Sequence, residues 1–420
     1  MRQLKNWAGN YTYSAARLHA PTSVEQLQAL IRSHSRVKAL GTRHSFNSVA
    51  DTTEDLISLE HFDQVVALDR ERRTVTVEAG IRYGTLCQPL SREGLALHNM
   101  GSLPHISVGG ACATGTHGSG VKNRNLASAV SALELVTADG ELVTLSRERD
   151  ADFPGVVMGL GALGIVTRLT LDLVPAFEVR QDVYENLSLA QLEANFDAVV
   201  SSGYSVSLFT DWRDATFNQV WVKRSVTDSA GAIESELFGA TRATRQLHPI
   251  EGMPVENCTQ QLGVPGPWHE RLPHFRMEFT PSSGEELQSE YFVPSQHAFA
   301  ALSAIDGLRD QISPLVQISE IRTIAADDLW LSPCYQQDCV AIHFTWVQDW
   351  PAVQQVLPLI EERLAQFAAR PHWGKLFTMA PARLPSLYPK LPDFQRLLRA
   401  YDPQGKFRNA FLETYVVGTD

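Results

Sequence analysis

The stretch ALGTRHSFN, residues 39–47, holds the feature from which the fold of this chain can be worked out. A short apolar run ends at Gly41, and a polar turn with Arg43, His44 and Asn47 follows it. Glycine lets a chain leave a strand in a tight turn, so the pattern predicts a strand that delivers His44 to a loop. Two interpretations fit the pattern: a surface imidazole at a strand end, or a histidine that touches a bound cofactor.

The whole sequence has the composition of a globular protein with two domains. Its 420 residues are too many for one hydrophobic core; 44% of them are hydrophobic and 20% are charged. The net charge of −11 argues against a nucleic acid or an anionic membrane as a partner, because both attract clustered Lys and Arg. We expect a small-molecule substrate, and no feature demands more than a monomer.

The five cysteines are scattered and contain no Cys-x-x-Cys pair, which indicates neither a disulfide framework nor a zinc site. The 13 histidines include no His-Glu-x-x-His motif, so no metal is expected. The N-terminal segment lacks the apolar core of a signal peptide. The near-apolar run at 156–166 is far shorter than the ~20 residues of a membrane span. These features predict a soluble protein of a reducing compartment, the cytoplasm.

The sequence around the opening stretch predicts alternating helices and strands. Residues 22–34 have apolar side chains at the helical period and begin with a capping-box pattern, so they predict a helix. Strands are predicted where apolar residues alternate, and Asp139-Gly140 marks the turn of a hairpin. The predicted strands are 37–41, 56–59, 73–80, the hairpin arms within 133–146, and 167–175.

The character of the sequence changes near residue 178, where polar, loop-rich sequence begins. Further strands are predicted at 205–212, 219–224, 319–325 and 340–347, and helices near 296–313 and 352–369. We therefore predict one domain of residues 1–178, completed by 376–420, and a second domain of residues 179–375 inserted between its parts.

Two glycine-rich segments need separate interpretations. GLGALG at 159–164 matches the dinucleotide fingerprint in letters, but a predicted helix precedes it and a strand follows, which reverses the required order. SLPHISVGGACATGTHGSG at 102–120 crowds Gly and Ala among short hydroxyl side chains. Such a segment allows close backbone approach to a phosphate or a flavin edge, and it equally fits a tightly packed buried turn.

Polar side chains also alternate along two predicted strands. Glu320 and Arg322 share one face of SEIRT, and His343 and Thr345 share one face of AIHFTW. The pattern fits an ordinary solvated sheet face. It also fits a wall that, together with Lys375, hydrogen-bonds a polyhydroxylated ligand.

Several motifs together resemble the vanillyl-alcohol-oxidase-type FAD oxidoreductases, and within them the bacterial alditol (xylitol/sorbitol) oxidases. The motifs are LGTRHSFN, SLPHIS with GTHGSG, GALGIVT, YSVSLFTDWR, GVPGPWHERLPHFR, SEIRT, HFTW, RPHWGK and the tail DPxGKFxN. The resemblance implies an α+β fold, with a two-subdomain FAD-binding domain of the vanillyl-alcohol-oxidase (PCMH) type and an inserted α+β substrate domain built on an antiparallel sheet.

The resemblance also implies roles for single residues. His44 would be joined covalently to the flavin 8α-methyl carbon. The substrate hydroxyls would be held by Ser102, Glu320, Arg322, Thr345 and Lys375. The other residues expected to hold FAD are Leu40, Gly41, Thr42, Arg43, Ser45, Phe46, Ser102, Ser107, Gly110, Ala111, Cys112, Ala113, Thr114, His117, Gly164, Ile165 and His372.

The expected reaction is hydride transfer from the terminal carbinol carbon of a polyol to flavin N5, followed by reduction of dioxygen to hydrogen peroxide. Arg322, Lys375, Glu320 and His343 are the expected catalytic residues, and either His343 or Lys375 accepts the proton. A small residue, Gly101, is expected to leave space for dioxygen.

Three alternatives stay open at this point. One is an aldonolactone oxidase or dehydrogenase of the same superfamily, and another is a flavin fold kept without oxidase activity. The third is a non-catalytic carbohydrate-binding protein that stacks sugar rings on tryptophans, with candidates Trp212, Trp221, Trp268, Trp330 and Trp373.

Overall fold

The computed structural model of the protein describes residues 4–227 and 234–418. Within these ranges, strands form four sheets and helices pack between and around them. The α+β class expected from the sequence is confirmed by this mixture of helices and largely antiparallel sheets.

A small parallel sheet carries the opening stretch. Its strands are β1 (Arg17–His19), β2 (Val37–Leu40) and β3 (Asp55–Ser58), in the order β1-β3-β2. Strand β2 ends at Leu40, so the polar turn that contains His44 begins at the sheet edge as the sequence predicts. The preceding helix begins after Ser23, whose side chain accepts a hydrogen bond from the Gln26 N–H.

A second sheet is entirely antiparallel and has the order β4-β5-β9-β7-β8. The predicted hairpin around Asp139-Gly140 is confirmed as the pair β7 and β8, with Gly140 at a φ of +76°. A two-stranded sheet pairs β6 with β10. The strands are β4 (Val65–Asp69), β5 (Thr74–Glu78), β6 (Leu95–Ala96), β7 (Val130–Val136), β8 (Leu142–Ser146), β9 (Ile165–Asp172) and β10 (Val174–Pro175).

The later part of the chain forms one sheet of ten strands. Nine strands follow the order β14-β15-β11-β13-β12-β18-β19-β17-β20, and β16 pairs with β11. The strands are β11 (Glu178–Ser188), β12 (Ser205–Thr210), β13 (Thr216–Ser225), β14 (Glu236–Leu237), β15 (Ala240–Arg242), β16 (Gly266–Pro267), β17 (Leu287–Pro294), β18 (Val316–Ile324), β19 (Cys339–Trp346) and β20 (Arg370–Pro371).

The helices of the described ranges are short, and none has the length and apolar composition that crossing a lipid bilayer takes. They are α1 (Val24–Ser33), α2 (Tyr83–Arg92), α3 (Val108–Thr114), α4 (Phe153–Val157), α5 (Leu189–Val200), α6 (Ala298–Asp306), α7 (Arg309–Ile312), α8 (Trp350–Leu364), α9 (Leu384–Leu387), α10 (Leu391–Tyr401) and α11 (Ala410–Leu412).

The C-terminal tail closes over the small parallel sheet. The fully buried Lys38 donates hydrogen bonds to the carbonyls of Leu160, Gly161 and Phe407, which joins β2 to the GLGALG segment and to the tail. Asn409 donates to three carbonyls between Ser48 and Asp51. These contacts hold the tail against the first part of the chain, and the domain of residues 1–178 completed by 376–420 stays a prediction.

Sequence reasoning missed several elements. Residues after 178 were expected to be loop-rich, but they form the long strand β11 and helix α5. Helix α2 and strand β17 were not expected either. Strand β17 has Gln288, Ser289 and Glu290 in its interior, and its residues from Leu287 to Val293 are all buried, so it lacks the alternation that marks a half-exposed strand.

Candidate active site

A cavity lies between the first part of the chain and the ten-stranded sheet. Its walls come from the loop after β2, the glycine-rich segment 101–117, the segment 159–166, and the polar face of the ten-stranded sheet. The opening stretch and the polar strand pairs singled out in the sequence therefore border the same space.

His44 lies on one wall of this cavity with an unusual environment. Its Nδ1 is 3.1 Å from Thr42 Oγ1, and the Trp7 ring stacks on the imidazole with centroids 5.3 Å apart. Its Nε2 is buried and has no hydrogen-bond partner among the described atoms. Burial lowers the pKa of His44 to about 3, so the imidazole is neutral and nucleophilic at neutral pH.

The loop that carries His44 is hydrogen-bonded to the segment that carries Lys375. The Phe46 N–H donates to the Gly374 carbonyl at 2.8 Å. The Asn47 side chain donates to the carbonyls of Trp373 at 2.9 Å and Lys375 at 2.7 Å. These bonds set the distance between His44 and Lys375 across the cavity.

The glycine-rich segment contains the short helix α3, where the sequence predicts a buried turn or a backbone that approaches a cofactor. Some of its glycines serve tight packing, and others lie on the cavity wall. A Cβ on Gly109 would lie 2.8 Å from Ala79 Cβ and 2.9 Å from its carbonyl oxygen, so this glycine serves close packing. Gly110 lines the cavity, where a Cβ would meet only the Ser107 hydroxyl.

Three strands bring the acidic and imidazole side chains into one row. Glu290 on β17 pairs with His343 on β19, which pairs with Glu320 on β18, and residues opposite each other in a sheet point to the same face. Thr345 lies two residues beyond His343 on that face. All four residues are buried and line the cavity, so this is not a solvated sheet face.

Arg322 is held from several sides by its guanidinium group. Its Nη2 donates to Glu290 Oε1 at 2.8 Å, and its Nη1 donates to Ser102 Oγ at 3.3 Å. Its Nε is 3.5 Å from Glu320 Oε1. Burial alone would lower the pKa of Arg322, but the two carboxylates outweigh it and raise that pKa, so the side chain carries a permanent positive charge.

Lys375 donates one hydrogen bond to Glu290 Oε2 at 2.6 Å and another to His343 Nδ1 at 2.8 Å. Because His343 accepts through Nδ1, its ring proton lies on Nε2, which is 3.1 Å from Thr345 Oγ1. Burial and the neighbouring ammonium group hold the pKa of His343 well below its usual range. His343 is therefore neutral, with both nitrogens engaged.

Glu320 is oriented by a chain of buried groups that starts at Lys223. The Lys223 amino group, whose pKa burial lowers to about 7, donates to His274 Nδ1 at 2.9 Å, which leaves the imidazole proton on Nε2, 2.7 Å from Glu320 Oε1. Burial would raise the pKa of Glu320, but Arg322 and His274 hold it far below its usual range. Burial lowers the pKa of His274 to about 4, so the ring is neutral.

Two further histidines of the predicted site lie near this cluster. His117 donates through Nδ1 to the Gly118 carbonyl at 2.9 Å, and its Nε2 is 3.3 Å from Glu290 Oε1. His372 accepts the Gly374 N–H through Nδ1 at 3.0 Å. Burial lowers the pKa of both rings.

Nearly all residues expected to hold cofactor or substrate border the cavity. Ile165 does not; its side chain is 1% exposed and packs in the core at the start of β9, while Gly164 and Val166 border the space. The residues that do border it are Leu40, Gly41, Thr42, Arg43, His44, Ser45, Phe46, Ser102, Ser107, Gly110, Ala111, Cys112, Ala113, Thr114, His117, Gly164, Glu320, Arg322, His343, Thr345, His372 and Lys375.

Sequence reasoning missed Glu290, His274 and Lys223. Lys223 lies on a predicted strand, two residues after Trp221. A lysine in a strand is ordinarily interpreted as a surface residue, yet Lys223 is 1% exposed. His274 lies in the motif GVPGPWHERLPHFR, which the sequence analysis used for the family resemblance without assigning a role to this histidine. No local pattern marks Glu290, because strand β17 is buried on both faces and carries polar side chains at consecutive positions.

The tryptophans do not support a carbohydrate-binding surface. Trp212, Trp221, Trp268 and Trp373 are at most 2% exposed. Trp330 packs against the Gly155 backbone, where an added Cβ would lie 2.3 Å from the indole ring. The four rings that are buried in the core cannot stack on sugars, whereas Trp330 is partly exposed.

Among the described residues, one group of side chains is close enough to share a metal ion: His19, His34 and Asp55 at the edge of the small sheet. Arg17 donates to both oxygens of Asp55, at 2.7 and 2.9 Å. The Asp55 carboxylate therefore already has a cationic partner, and we interpret the three side chains as part of a local ion pair with Arg17.

Comparison with known proteins gives two family models that match separate parts of the chain. A model described as an FAD binding domain matches residues 15–146, and a model described as D-arabinono-1,4-lactone oxidase matches residues 283–415. The first match covers the loop of His44 and helix α3. The second covers Glu290, Arg322, His343 and Lys375.

Full-length relatives give the same picture. The chain is 51% identical to an alditol oxidase from Streptomyces sp. (strain IKD472 / FERM P-14339) over 98% of this chain and 99% of that one. It is 27% identical to an L-gulonolactone oxidase from Mus musculus over 98% of this chain and 97% of that one. A solved cholesterol oxidase from B. sterolicum superposes with a TM-score of 0.82 at 14% identity, covering 99% of this chain and 96% of that chain. The last comparison establishes the fold alone.

The residues around the cavity fit FAD. One buried imidazole nitrogen that borders the space, Nε2 of His44, has no hydrogen-bond partner among the described atoms. The cavity wall between Ser107 and Thr114 consists of small residues, which admit a large planar group. The two-subdomain FAD-binding fold expected from the sequence is confirmed by the family match and the superposition.

Proposed function

Because the chain belongs to the alditol oxidase family of the vanillyl-alcohol-oxidase-type FAD oxidoreductases, we propose that it oxidises the terminal primary alcohol of polyols such as xylitol and sorbitol. The products are the aldose and hydrogen peroxide. The observation that carries the proposal is the row of charged and polar side chains on the cavity wall, which offers donors and acceptors to consecutive hydroxyls of one substrate.

The wall suits a polyol because its polar groups occur at intervals along the sheet. Ser102 and Arg322 donate, Lys375 and Glu320 accept, and Thr345 does both. A substrate that lacks a hydroxyl would leave one of these buried groups unpaired, which costs about 1–3 kcal/mol. The site therefore selects against simple alcohols.

When bound, FAD supplies the acceptor for the hydride of the carbinol carbon and the route by which both electrons reach dioxygen. Lys375 and Arg322 hold the reacting hydroxyl and stabilise negative charge that develops on its oxygen. The hydroxyl proton passes to the Lys375 nitrogen. His343 is a poorer acceptor, because its Nδ1 is bound by Lys375 and its Nε2 by Thr345.

His44 is proposed as the covalent tether of the flavin. Its neutral ring, its unpartnered buried nitrogen and the stacking of Trp7 support this role, since a nucleophilic imidazole must be unprotonated and fixed in direction. We expect visible absorbance and an added FAD mass to stay with the denatured wild-type chain and to separate from His44→Ala. Colour that washes off the denatured wild type contradicts the tether.

Oxidation of an aldonolactone is the second candidate. The match of residues 283–415 to a family described as D-arabinono-1,4-lactone oxidase favours it, as does the L-gulonolactone oxidase relative. A peroxide assay with xylitol, sorbitol and L-gulono-1,4-lactone separates the two. We expect peroxide from the polyols and little from the lactone, and the reverse order would replace the proposal.

A cytoplasmic location, a monomeric state and the domain limits at 178 and 375 stay predictions from the sequence. Size-exclusion chromatography with light scattering tests the oligomeric state, with an expected mass near the 46.5 kDa of one chain plus its cofactor.

A further inference from the structure

Glu290 lies at the centre of the charged cluster, although no motif in the sequence points to it. Its side chain is fully buried. One carboxylate oxygen is 2.6 Å from Lys375 Nζ, and the other is 2.8 Å from Arg322 Nη2 and 3.3 Å from His117 Nε2. A buried carboxylate is costly unless it is paired, so this position is explained by the two cations that it faces.

The cluster is electrically balanced only when Glu290 is present. Arg322 and Lys375 can supply two positive charges, and Glu290 and Glu320 supply two negative ones, while the neighbouring imidazoles are neutral. The Glu320 carboxylate is already engaged by His274 at 2.7 Å. Without Glu290, both cations would share one carboxylate that is oriented elsewhere.

We propose that Glu290 is a positioning residue of the polyol oxidation: it fixes Arg322 and Lys375 on the cavity wall and sets the charge with which Lys375 meets the substrate hydroxyl. The inference rests on the proposed function and deepens it. Glu290 acts through the two cations, because each of its oxygens is already taken by one of them.

The geometry of Lys375 shows how this works. An amine nitrogen on a carbon chain has three further bonding directions, and Glu290 and His343 take two of them. The third is left for the substrate. Once the Lys375 ammonium group has lost one proton to solvent, it presents a lone pair in that direction and accepts the hydroxyl proton, which returns it to the ammonium form that Glu290 stabilises.

Several other charged or titratable groups lie near Lys375, and some of them raise its pKa while others lower it. They are Arg322, Glu320, His117, His343 and His372. Burial lowers the pKa of Lys375, Arg322 lowers it further, and Glu290 and Glu320 raise it. An opposite charge at contact distance typically moves a pKa by about 1–3 units. Removing the charge of Glu290 therefore lowers the pKa of Lys375.

The test measures flavin reduction by xylitol in the absence of oxygen, in wild-type and Glu290→Gln holoenzyme, from about pH 5 to about pH 10. In the plot of reduction rate against pH, the rise that reports deprotonation of Lys375 is expected to move to lower pH by about one unit or more in Glu290→Gln. The maximal rate is expected to fall about 10- to 100-fold, because Arg322 and Lys375 lose a charged hydrogen-bond partner. Glu290→Asp restores the charge and is expected to return this rise towards that of the wild type.

Glu361→Gln is the matched control. Its carboxylate is also buried and hydrogen-bonded, to the Tyr291 hydroxyl at 2.8 Å and the Thr378 N–H at 2.7 Å, but it does not border the cavity. We expect it to lower thermal stability without moving the rise in rate with pH. A rise that moves equally in Glu361→Gln contradicts a specific role for Glu290.

The double variant Glu290→Gln/Lys375→Gln keeps the test valid if the single variant folds poorly, because it removes both charges of the pair. A double-mutant cycle on melting temperature, measured on protein without substrate, is expected to show coupling between the two residues. Additive melting temperatures, or an unmoved rise in a folded Glu290→Gln, overturn the inference. If wild-type flavin is not reduced by any polyol, the proposed function itself fails, which is a distinguishable result.

Discussion

Replacing His274 with phenylalanine tests whether the buried chain from Lys223 through His274 sets the geometry of Glu320. Phenylalanine keeps an aromatic ring at this position and is somewhat larger than histidine, so the change removes hydrogen bonds without opening a cavity. His274 bonds Glu320 Oε1 at 2.7 Å and accepts from Lys223 at 2.9 Å, and both bonds are lost. Glu320 keeps only the longer contact of 3.5 Å with Arg322 Nε.

The magnitude follows from the loss of one hydrogen bond to a charged group. Such a bond contributes about 1.5–3 kcal/mol, which corresponds to about 10- to 150-fold in a rate or binding constant at about 1.4 kcal/mol per factor of ten. Since Glu320 is proposed to bind a hydroxyl beside the reacting one, kcat/KM for xylitol is expected to fall by this factor, mostly through KM. The flavin does not contact His274 in this account, so its content should not change.

The assay is peroxide production over a range of xylitol concentrations, with flavin content and melting temperature measured on the same samples. His248→Phe is the control, because His248 is also a buried histidine, hydrogen-bonded to the Ile250 N–H at 3.0 Å and not part of the cavity wall. A kcat/KM for His274→Phe within twofold of the wild type, in a folded and flavin-loaded protein, would refute the chain as a positioning device.

Three further outcomes are expected. Arg322→Ala and Lys375→Ala should each lower the anaerobic rate of flavin reduction about 100-fold or more while the flavin stays bound. A normal rate in both variants would contradict the catalytic role of these two residues. Gly101→Val should slow reoxidation by air more than reduction by substrate. A Cβ at Gly101 would lie 3.4 Å from the nearest side-chain carbon and fits, but the two methyl groups of valine would fill the space expected for dioxygen. Equal effects on both half-reactions count against this role. The pKa values of Glu290 and Glu320 are held below the ordinary 4.5, so their contribution to stability is present above pH 4.5 and is lost as pH falls through the lowered values. Melting temperatures below pH 4.5 should therefore fall more steeply for wild type than for Glu290→Gln/Glu320→Gln, and parallel curves contradict the sign.

The opening stretch and the polar strands were readable from the sequence because their signals are local. The helical period of residues 24–33, the glycine at the end of β2 and the alternation of Glu320 with Arg322 each follow from the backbone geometry of a few neighbouring residues. The roles of single residues came from the family resemblance. By pattern alone, the polar strands favoured a solvated sheet face over a ligand-binding wall.

Glu290 and the Lys223–His274 pair could not be predicted in the same way, because their significance depends on partners far away in the chain. Glu290 is 85 residues from Lys375, and His274 is 46 residues from Glu320. Strand β17 is buried over nearly its whole length, so hydrophobic alternation does not reveal it. A carboxylate in such a strand acquires a role only when the sheet brings two cations beside it.

The most direct measurement is the visible spectrum of the purified holoenzyme during anaerobic titration with xylitol and, separately, with L-gulono-1,4-lactone. The account expects the flavin absorbance to bleach fully with xylitol, to persist with the lactone, and to persist with xylitol in Lys375→Met. Bleaching by the lactone alone, or rapid bleaching by xylitol in Lys375→Met, would contradict polyol oxidation at this cluster.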